Sequence, residues 1–428
     1  MTSNVATNEA FVWVWLPGAD EPVVAGRLVR DGEVYVFNYG RSYLERVEAV
    51  SLYDAELPVR AGSILPQPPL TIANCLRDAA PDSWGRRVIV NRLTGLIGDQ
   101  AAAVELDELT FLLESGSDRI GALDFQASAS EYVPRLSETA SLDELLASAE
   151  RVEHGVPLTP ALALALQHGT AVGGARPKAL INSNNRAYIA KFSSSTDTYN
   201  VVKAEFIAMR LARAIGLNVA SVELAQAMQK SVLLVERFDR LPSGDGWKRR
   251  GLLSALTLLG LHELSAAHAS YADLAELIRQ RFSAPKETLV ELFGRLTWNI
   301  LVGNTDDHAR NHAAFWGGST LSLAPAYDVC PQTRTGYEAS QGMLIHHTVR
   351  RSQLAHCVES ANHYLLHRDD ALALIGVQIR TLREQWDAVC READLPTVDK
   401  SLLWRRQFLN PLAIEGLEEV LSDALVGL

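Results

Sequence analysis

The stretch that most constrains this chain is an apolar run that ends directly in a crowded polar loop. The run reads LTWNILV, and the loop that follows it, residues 303–312, reads GNTDDHARNH. A run this apolar is expected to be buried, so the loop places Asp306, Asp307 and His308 at the end of a buried segment. Asn311 adds an amide to the same loop. The loop is therefore the first candidate for chemistry.

Length and composition predict a globular protein with two or three domains. The 428 residues exceed what one compact core usually holds. Hydrophobic residues make up 47% of the chain and charged residues 21%, which argues against disorder. The formal net charge of −11 argues against a surface that binds nucleic acid throughout, although it does not exclude a local basic patch.

Cysteine usage and hydropathy indicate the compartment. Cys75, Cys330, Cys357 and Cys390 form no C-x-x-C pair, which favours buried or incidental thiols over a disulfide framework or a zinc site. The beginning of the chain, MTSNVATNEAFVWVWLPG, lacks the basic region and the long apolar stretch of a signal peptide. No run is long enough to span a bilayer. We therefore expect a cytoplasmic protein without a membrane partner.

The pattern along the chain predicts a β-containing beginning and a mainly helical end. FVWVWL and GRLVRDGEVYVFNY are typical of strands, with a hairpin at Asp31-Gly32, and DAAPDSWGRRVIVNRL is typical of a helix that begins near Asp82 or Ser83. DELTFLLES and much of residues 141–168 also read as helical. We place a first domain at 1–130, the rest of the β-containing region at 131–240, and a helical region at 241–428.

A glycine-bearing loop precedes two predicted strands, Ala179–Ile181 and Ala187–Phe192. The loop reads GGARPK, and its Gly173 and Gly174 would let backbone N–H groups approach a phosphate, to which Lys178 adds positive charge. The loop matches neither the Walker A pattern nor G-x-G-x-x-G. Taken alone, it is more often an ordinary glycine turn.

Two charged side chains stand on apolar surfaces. Lys191 ends the strand AYIAKF, where it either marks an exposed end or needs a charge partner. Glu205 shares the apolar face of the helix in YNVVKAEFIAMRLARAIG, where a carboxylate needs a cation. A strand lysine paired with a glutamate of the following helix positions the ATP phosphates in protein kinases.

The spacing inside the polar loop matches a kinase catalytic loop. Asp306 precedes Asn311 by five positions, as Asp precedes Asn in H-R-D-L-x-x-x-N. The carboxylate would accept the proton of the attacking hydroxyl, and the amide oxygen would bind Mg²⁺. Seventeen residues after Asn311, the segment LAPAYDV ends an apolar strand with Asp328, which could supply a second metal carboxylate.

Two alternatives remain for this loop. Asp306 and Asp307 could instead cap a helix formed by HARNHAAF. His308 and His312, spaced i, i+4, could form a zinc pair, but no third ligand at a suitable spacing is evident and H-E-x-x-H is absent.

Together these parts follow the order found in kinases, and the chain resembles the HipA family, the serine/threonine-kinase toxins of bacterial toxin–antitoxin modules. The matching segments are GGARPKA, AKF, LLVERFDR, GNTDDHARNH and YDV. DAAPDSWGRRVI resembles the family's N-terminal subdomain. The resemblance implies an α+β, two-lobed protein-kinase-like fold, with an extra N-terminal subdomain and a mainly helical C-terminal lobe.

The resemblance also implies roles for individual residues. Lys191 would contact the nucleotide phosphates, Glu236 and Phe238 would form the adenine site, and His308 would be a further nucleotide contact. The catalytic set would be Asp306 as the base, with Asn311 and Asp328 as the Mg²⁺ ligands. Set apart from the family, Glu236, Arg237 and Asp239 are typical of a surface salt-bridge cluster.

The implied function is Mg-ATP-dependent phosphorylation of a translation component, such as an aminoacyl-tRNA synthetase. The implied partner is a helix-turn-helix antitoxin of the HipB type, through which the toxin reaches operator DNA. Two alternatives are a catalytically silent corepressor of such an antitoxin and a small-molecule kinase. The retained Lys191, Asp306, Asn311 and Asp328 argue against a silent protein.

The chain departs from the family pattern at two positions. Many members carry a serine just before the glycine loop, and its autophosphorylation inactivates the kinase. Here the aligned residue is Ala171, with Thr170 beside it, so either Thr170 substitutes or this control is missing. Asp307 stands where some members have glycine.

Overall fold

The structure is a computed structural model that describes residues 8–96, 104–135, 140–154, 156, 166, 176–183, 185–244, 246–334, 336 and 338–426. The chain divides into two compact units that alternate along the sequence. The first is Met1–Thr196, Ala225–Leu253 and Phe315–Ser319, and the second is Asp197–Leu224, Ser254–Ala314 and Thr320–Leu428. The domain boundaries predicted near residues 130 and 240 both lie within the first unit. These boundaries remain a prediction.

A five-stranded antiparallel sheet forms the N-terminal part of the first unit. The spatial order of its strands is fourth, third, second, first and fifth. The predicted hairpin is confirmed, because Asp31 pairs with Val34 and Gly32 has a φ of 62°, which glycine adopts without strain. The strands in chain order are Glu9–Val14, Val23–Asp31, Val34–Tyr39, Ser63–Ile64 and Leu123–Gln126.

Side-chain caps start the longer helices of the first unit. Asp82 accepts a hydrogen bond from the backbone N–H of Gly85 at 2.7 Å, which confirms it as the predicted helix cap. Ser141 and Glu144 form a reciprocal capping box at a second helix. The described helices of this unit are Arg41–Leu44, Asn74–Arg77, Ser83–Thr94, Glu108–Glu114 and Leu142–Glu153.

A second, four-stranded sheet carries the predicted strands that follow the glycine loop. Its spatial order is Lys178–Ser183, Arg186–Lys191, Lys230–Glu236 and Val222–Ala227, and the first three are antiparallel neighbours. Trp84, Leu145 and Phe192 belong to the buried cluster that packs on this sheet. A separate hairpin pairs Arg240–Ser243 with Gly246–Arg249.

The second unit is mainly helical, as predicted for the chain beyond residue 250. The run LTWNILV lies in the helix Pro285–Val302, which is buried from Leu292 to its end. The helix Arg368–Glu392 packs against Val201–Ala214, and Arg210 pairs with Glu392 at 2.8 Å. The other helices are Ala255–Leu258, Glu263–His268, Tyr271–Arg281, Ala309–Asn311, Leu354–Glu359, Ala361–Tyr364, Thr397–Leu403, Pro411–Ile414 and Ser422–Leu425.

The remaining strands are Gly251–Ser254, Ala313–Trp316 and Leu321–Leu323, which form a three-stranded sheet in that order. The alternative in which HARNHAAF forms a capped helix is wrong. A single 3-10 turn, Ala309–Asn311, leads directly into the strand Ala313–Trp316, and its N-cap position is His308. Residues Ala313–Trp316 of this segment therefore form a β-strand and not a helix.

All four cysteines are buried free thiols, as the scattered spacing predicts. Among the described helices, none combines the length and the apolarity that crossing a membrane requires.

Candidate active site

The polar loop begins where the helix Pro285–Val302 ends at a glycine. Gly303 adopts the left-handed region with a φ of 73°, and its N–H bonds back to the last turn of the helix. A Cβ at this position would lie 2.8 Å from the carbonyl oxygen of Gln407. Both the dihedral angle and the close approach therefore require glycine, and the chain leaves the helix sharply toward Asn304.

A buried trio of side chains holds the centre of the loop. Asp307 is 2% exposed, and one carboxylate oxygen accepts a hydrogen bond from the hydroxyl of Tyr271. The other lies 3.0 Å from Nε2 of His312, which is itself 3.1 Å from the Tyr271 hydroxyl. Burial, and then the Asp307 carboxylate, raise the pKa of Tyr271 well above its usual value, so the phenol keeps its proton. Asp307 therefore anchors the loop.

The neighbouring Asp306 has the opposite environment, because it is exposed while Asp307 is buried. Its backbone carbonyl accepts a hydrogen bond from Nδ2 of Asn311 at 3.3 Å, and the N–H of Asn311 bonds to the carbonyl of His308 at 2.8 Å. This contact orients the amide, so Oδ1 of Asn311 is the atom left for a hard cation. The arrangement fits an accessible carboxylate beside a neutral oxygen ligand.

Asp328 is the residue that the sequence pairs with this loop. It is half-buried and has a φ of 58°, a conformation that is uncommon outside glycine and that marks a constrained position. Nδ2 of Asn304 lies 3.4 Å from the carbonyl oxygen of Asp328, and the Tyr327 hydroxyl donates to the carbonyl of Arg310 at 2.6 Å. Two contacts thus join the segment of Asp328 to the polar loop within the second unit.

The donor set of this unit suits Mg²⁺. A carboxylate from Asp328 and an amide oxygen from Asn311 are hard oxygen ligands, and Mg²⁺ typically takes one or two carboxylates while keeping water and substrate phosphates. His312 is engaged with Asp307 and Tyr271, which leaves the alternative zinc pair of His308 and His312 without support. Nδ1 of His308 is buried and makes no hydrogen bond with the described part of the chain.

Three predicted nucleotide-binding residues of the first unit, Lys178, Lys191 and Glu236, lie on its second sheet. Lys191 ends the strand Arg186–Lys191 and faces Lys178 in the register of the neighbouring strand. Nζ of Lys178 lies 2.7 Å from Asp82, so this lysine is in a buried ion pair, and its role at a phosphate stays a prediction. Glu236 pairs with Arg186 at 3.7 Å.

Phe238 stacks edge-on against another aromatic ring of the first unit. The centroid of its ring is 5.8 Å from that of Phe315, and the guanidinium of Arg250 lies 3.1 Å from the Phe315 centroid. Phe238, Phe315 and Arg250 therefore form an aromatic and cationic cluster, which is compatible with the predicted adenine contact.

The interpretation of Arg237 and Asp239 as a surface salt-bridge cluster is wrong. Arg237 is 4% exposed and Asp239 is 2% exposed, and the two pair at 2.8 Å. Asp118 completes the network through contacts of 2.8 Å to Arg237 and 2.9 Å to Arg240. The ERFDR segment is therefore tied into the core of the first unit.

The other predicted site residues stand as follows. Glu205 is 3% exposed in the helix Val201–Ala214 of the second unit, whereas Lys191 belongs to the first unit, so their pairing remains a prediction. Gly173 and Gly174 lie outside the described residues. Thr170 and Ala171 do as well.

Sequence reasoning missed two residues that position this site. Tyr271 lies 36 positions before its partner Asp307, and only its place at the start of an amphipathic helix was visible in the sequence. Asn304 was part of the quoted loop, but its contact with Asp328 spans 24 positions. An amide directly after a helix-ending glycine is the signal that could have drawn attention to it.

Two family models match the chain. The model of the HipA-like C-terminal domain matches residues 170–394, which are 225 of the 428 residues. The model of the HipA N-terminal domain matches residues 14–126. The region matched by the C-terminal domain model contains every predicted site residue.

Two curated relatives match shorter regions. The protein Y4mE of Sinorhizobium fredii is 32% identical over 146 residues, which is 33% of each chain. The serine/threonine-protein kinase toxin HipA of Shewanella oneidensis is 26% identical over 182 residues, which is 37% of this chain and 42% of that protein. The matched region thus spans less than half the length of either relative.

A solved structure shares the fold over nearly the whole chain. It is a chain of the Shewanella oneidensis MR-1 toxin–antitoxin complex of HipA, HipB and operator DNA, with a TM-score of 0.70 and 18% identity. The match covers 94% of this chain and 99% of that one. The predicted α+β, kinase-like fold class is confirmed. Because a HipA domain model matches more than half of its residues, this protein belongs to the HipA family.

Proposed function

We propose that this protein is a Mg-ATP-dependent serine/threonine protein kinase that acts as the toxin of a HipA/HipB-like toxin–antitoxin module. The observation that carries the proposal is the joining of the GNTDDHARNH loop to the YDV segment. Asn304 and Tyr327 make that connection, so the three predicted catalytic side chains stand on segments that the second unit holds together.

The residues of the loop are suited to different tasks. Asp306 is exposed, as a carboxylate must be to orient a substrate hydroxyl and accept its proton. Asp307 is buried with both oxygens engaged, so it positions the loop and is unsuited to proton transfer. The two adjacent aspartates are thereby distinguished by burial.

Asn311 and Asp328 would hold the cation. The contact of Nδ2 of Asn311 with the Asp306 carbonyl keeps the amide oxygen available, and the left-handed backbone of Asp328 sets the direction of its carboxylate. When bound, Mg²⁺ neutralises charge on the transferred phosphoryl group. In the first unit, Lys191, Glu236 and Phe238 would contact the nucleotide. The contact of Gly173 and Gly174 with its phosphates stays a prediction from the sequence.

The decisive experiment is phosphoryl transfer from radiolabelled ATP with Mg²⁺, in the presence of cell extract. We expect label on a protein with the wild type and a loss of at least about 10³-fold with Asp306→Asn, because the variant keeps the shape of the side chain but cannot accept a proton. Asp370→Asn is the matched control, since it removes a charge from an exposed helix start in the same unit and should retain wild-type activity.

Equal labelling by the wild type and Asp306→Asn would refute the assigned role of Asp306. Absence of labelling with the wild type, both with extract and with free serine, would refute the kinase proposal as a whole. Circular dichroism of each variant separates a lost function from a lost fold.

The proposed partners are a helix-turn-helix antitoxin of the HipB type, operator DNA reached through it, and a translation component such as an aminoacyl-tRNA synthetase as substrate. Support comes from family membership and from the shared fold with a chain of a HipA, HipB and operator DNA complex. The net charge of −11 agrees with DNA contact made chiefly through the antitoxin. Fluorescence anisotropy of labelled operator DNA should rise on adding this chain only when the antitoxin is present.

A further inference from the structure

A second cluster of metal-ligating side chains lies in the second unit, apart from the polar loop. One member, His346, stands in a tight turn in which Ile345 and Val349 are joined by a backbone hydrogen bond of 2.7 Å. The other two, His356 and Glu359, project from the helix Leu354–Glu359. Their spacing of three positions puts both side chains on one face of that helix.

The ligand atoms of this cluster lie near enough to one another for a single metal ion to reach all three. Nδ1 of His356 lies 3.0 Å from Oε2 of Glu359, and Nε2 of His346 lies 3.8 Å from the same oxygen. All three ligand atoms fall within 4.8 Å of one another. Two ligands of a tetrahedral Zn²⁺, each about 2.0–2.1 Å from the metal, are about 3.3 Å apart. Small side-chain rotations would bring this set to that geometry.

The ring nitrogen of His346 is an independent sign of a ligand site. Nε2 is buried, yet it makes no hydrogen bond to any residue within the described ranges. Buried polar nitrogens nearly always have a partner, so an orphan one needs an explanation.

We propose that His346, His356 and Glu359 form a site for a divalent transition metal of the zinc type. Two imidazoles and one carboxylate are a common protein ligand set for Zn²⁺, with water in the remaining position. The two imidazole ligands disfavour Mg²⁺ and Ca²⁺, because those ions prefer oxygen ligands. The metal would fasten the turn at His346 to the helix Leu354–Glu359.

The site is exposed enough for a metal to enter. Glu359 is exposed and His356 is half-buried, so only His346 lies mostly inside the protein. Two further rings surround the cluster, with His347 5.4 Å from His346 and His363 6.4 Å from His347 between centroids. These rings are not part of the proposed ligand set.

The test is Zn²⁺ binding by the full chain, purified without a histidine tag and stripped with a chelator. Zinc sulfate is titrated in competition with a chromogenic chelator, with Mg²⁺ in excess to fill oxygen sites. We expect one tight Zn²⁺ per chain, and a loss of affinity of at least about tenfold in each of H346Q, H356Q and E359Q, because each removes a ligand. Zn²⁺ should also raise the Tm of the wild type and leave that of H346Q/H356Q unchanged.

Two controls separate this site from others. H268Q removes an exposed histidine of the same unit outside the cluster and should bind Zn²⁺ like the wild type. Asp328→Asn removes the proposed Mg²⁺ carboxylate and should also leave Zn²⁺ affinity unchanged, so failure of the zinc proposal is distinct from failure of the kinase proposal. Equal Zn²⁺ affinity in the wild type and H346Q/H356Q, or no tight binding by the wild type, would overturn the proposal.

Discussion

At the scale of single residues, adjacent aspartates in this protein have unlike environments. Asp306 is exposed, while Asp307 is 2% exposed and satisfied by Tyr271 and His312. A buried carboxylate is tolerated only when its oxygens have donors, and the donors in turn depend on it. The trio of Asp307, Tyr271 and His312 therefore fixes the centre of the loop.

Removing the Asp307 carboxylate should destabilise the second unit. Asp307→Ala leaves a buried phenol and a buried imidazole without their acceptor, which should cost about 3 kcal/mol of unfolding free energy. Tyr271→Phe should cost about 1–1.5 kcal/mol, since it removes one donor only. Chemical denaturation of both single variants and of the double variant measures the coupling between them.

The control for this pair is Asp370→Ala on an exposed helix start. If Asp307→Ala unfolds at the same denaturant concentration as that control, the trio does not stabilise the loop. We expect instead that the double variant is less destabilised than the two single variants added together.

At the scale of elements, the end of the helix Pro285–Val302 determines where the loop starts. Gly303 combines a φ of 73° with a carbonyl oxygen 2.8 Å from where a Cβ would be. Gly216, which follows the helix Val201–Ala214, also has a positive φ of 90° but has open space around the Cβ position. A side chain at Gly216 would therefore introduce only backbone strain, whereas one at Gly303 would add a steric overlap.

Alanine substitution at these two positions should have unequal effects. Gly216→Ala should cost about 1–2 kcal/mol, the strain of the left-handed region. Gly303→Ala should cost at least about 1 kcal/mol more, because the backbone of Gln407 must also move. Thermal unfolding compares the variants, and equal Tm values would mean that the close approach at Gly303 relaxes freely.

Gly303→Ala should also reduce phosphoryl transfer at temperatures where the variant is still folded. The reason is that the displaced helix end carries the loop that holds Asp306 and Asn311. Retained full activity in that variant would show that Gly303 is not needed to position the loop.

At the scale of the whole molecule, ion pairs tie distant parts of the first unit together. Asp118 lies 119 positions before Arg237 and 122 before Arg240, and contacts both. Burial acts to raise the pKa of Asp118, but the guanidinium groups of Arg237, Arg240 and Arg249 outweigh it and hold that pKa well below its usual range. Asp118 is therefore held in its charged form, and its ion pairs join the region of the N-terminal sheet to the ERFDR segment.

The pH dependence of stability should reveal this network. A carboxylate whose pKa is lower in the folded than in the unfolded state stabilises the fold above its unfolded pKa, about 3.9, and loses that contribution as pH falls toward the folded value. Asp118→Asn should thus be less stable than the wild type by about 3 kcal/mol at pH 7, and the difference should narrow below about pH 4. Chemical denaturation of the wild type and Asp118→Asn at several pH values measures this difference in unfolding free energy.

Glu45→Gln is the matched control, because its partner Arg41 is exposed and such pairs contribute little. A difference between the wild type and Asp118→Asn that stays constant from pH 7 to pH 3 would contradict the role of charge. In that case the ionisation of Asp118 would not be the source of the difference in stability.

Much of the local structure was readable from the sequence. The Asp82 cap, the Asp31-Gly32 hairpin and the strands around Lys191 were all predicted within a few residues, because they depend on neighbours in the chain. The ordered motifs also identified the family. The roles of the site residues stay predictions, since Lys191 and Asp328 belong to different units.

The sequence by itself determined the elements, the family and the candidate catalytic loop, because caps, glycines and hydrophobic periodicity act over a few residues. Only the tertiary structure decided which charged groups are buried and what they meet. It placed Asp307 against Tyr271, enclosed Arg237 in the core, and brought His346 to Glu359. Burial and pairing depend on segments that pack together from far along the chain, and no local pattern encodes which segments those are.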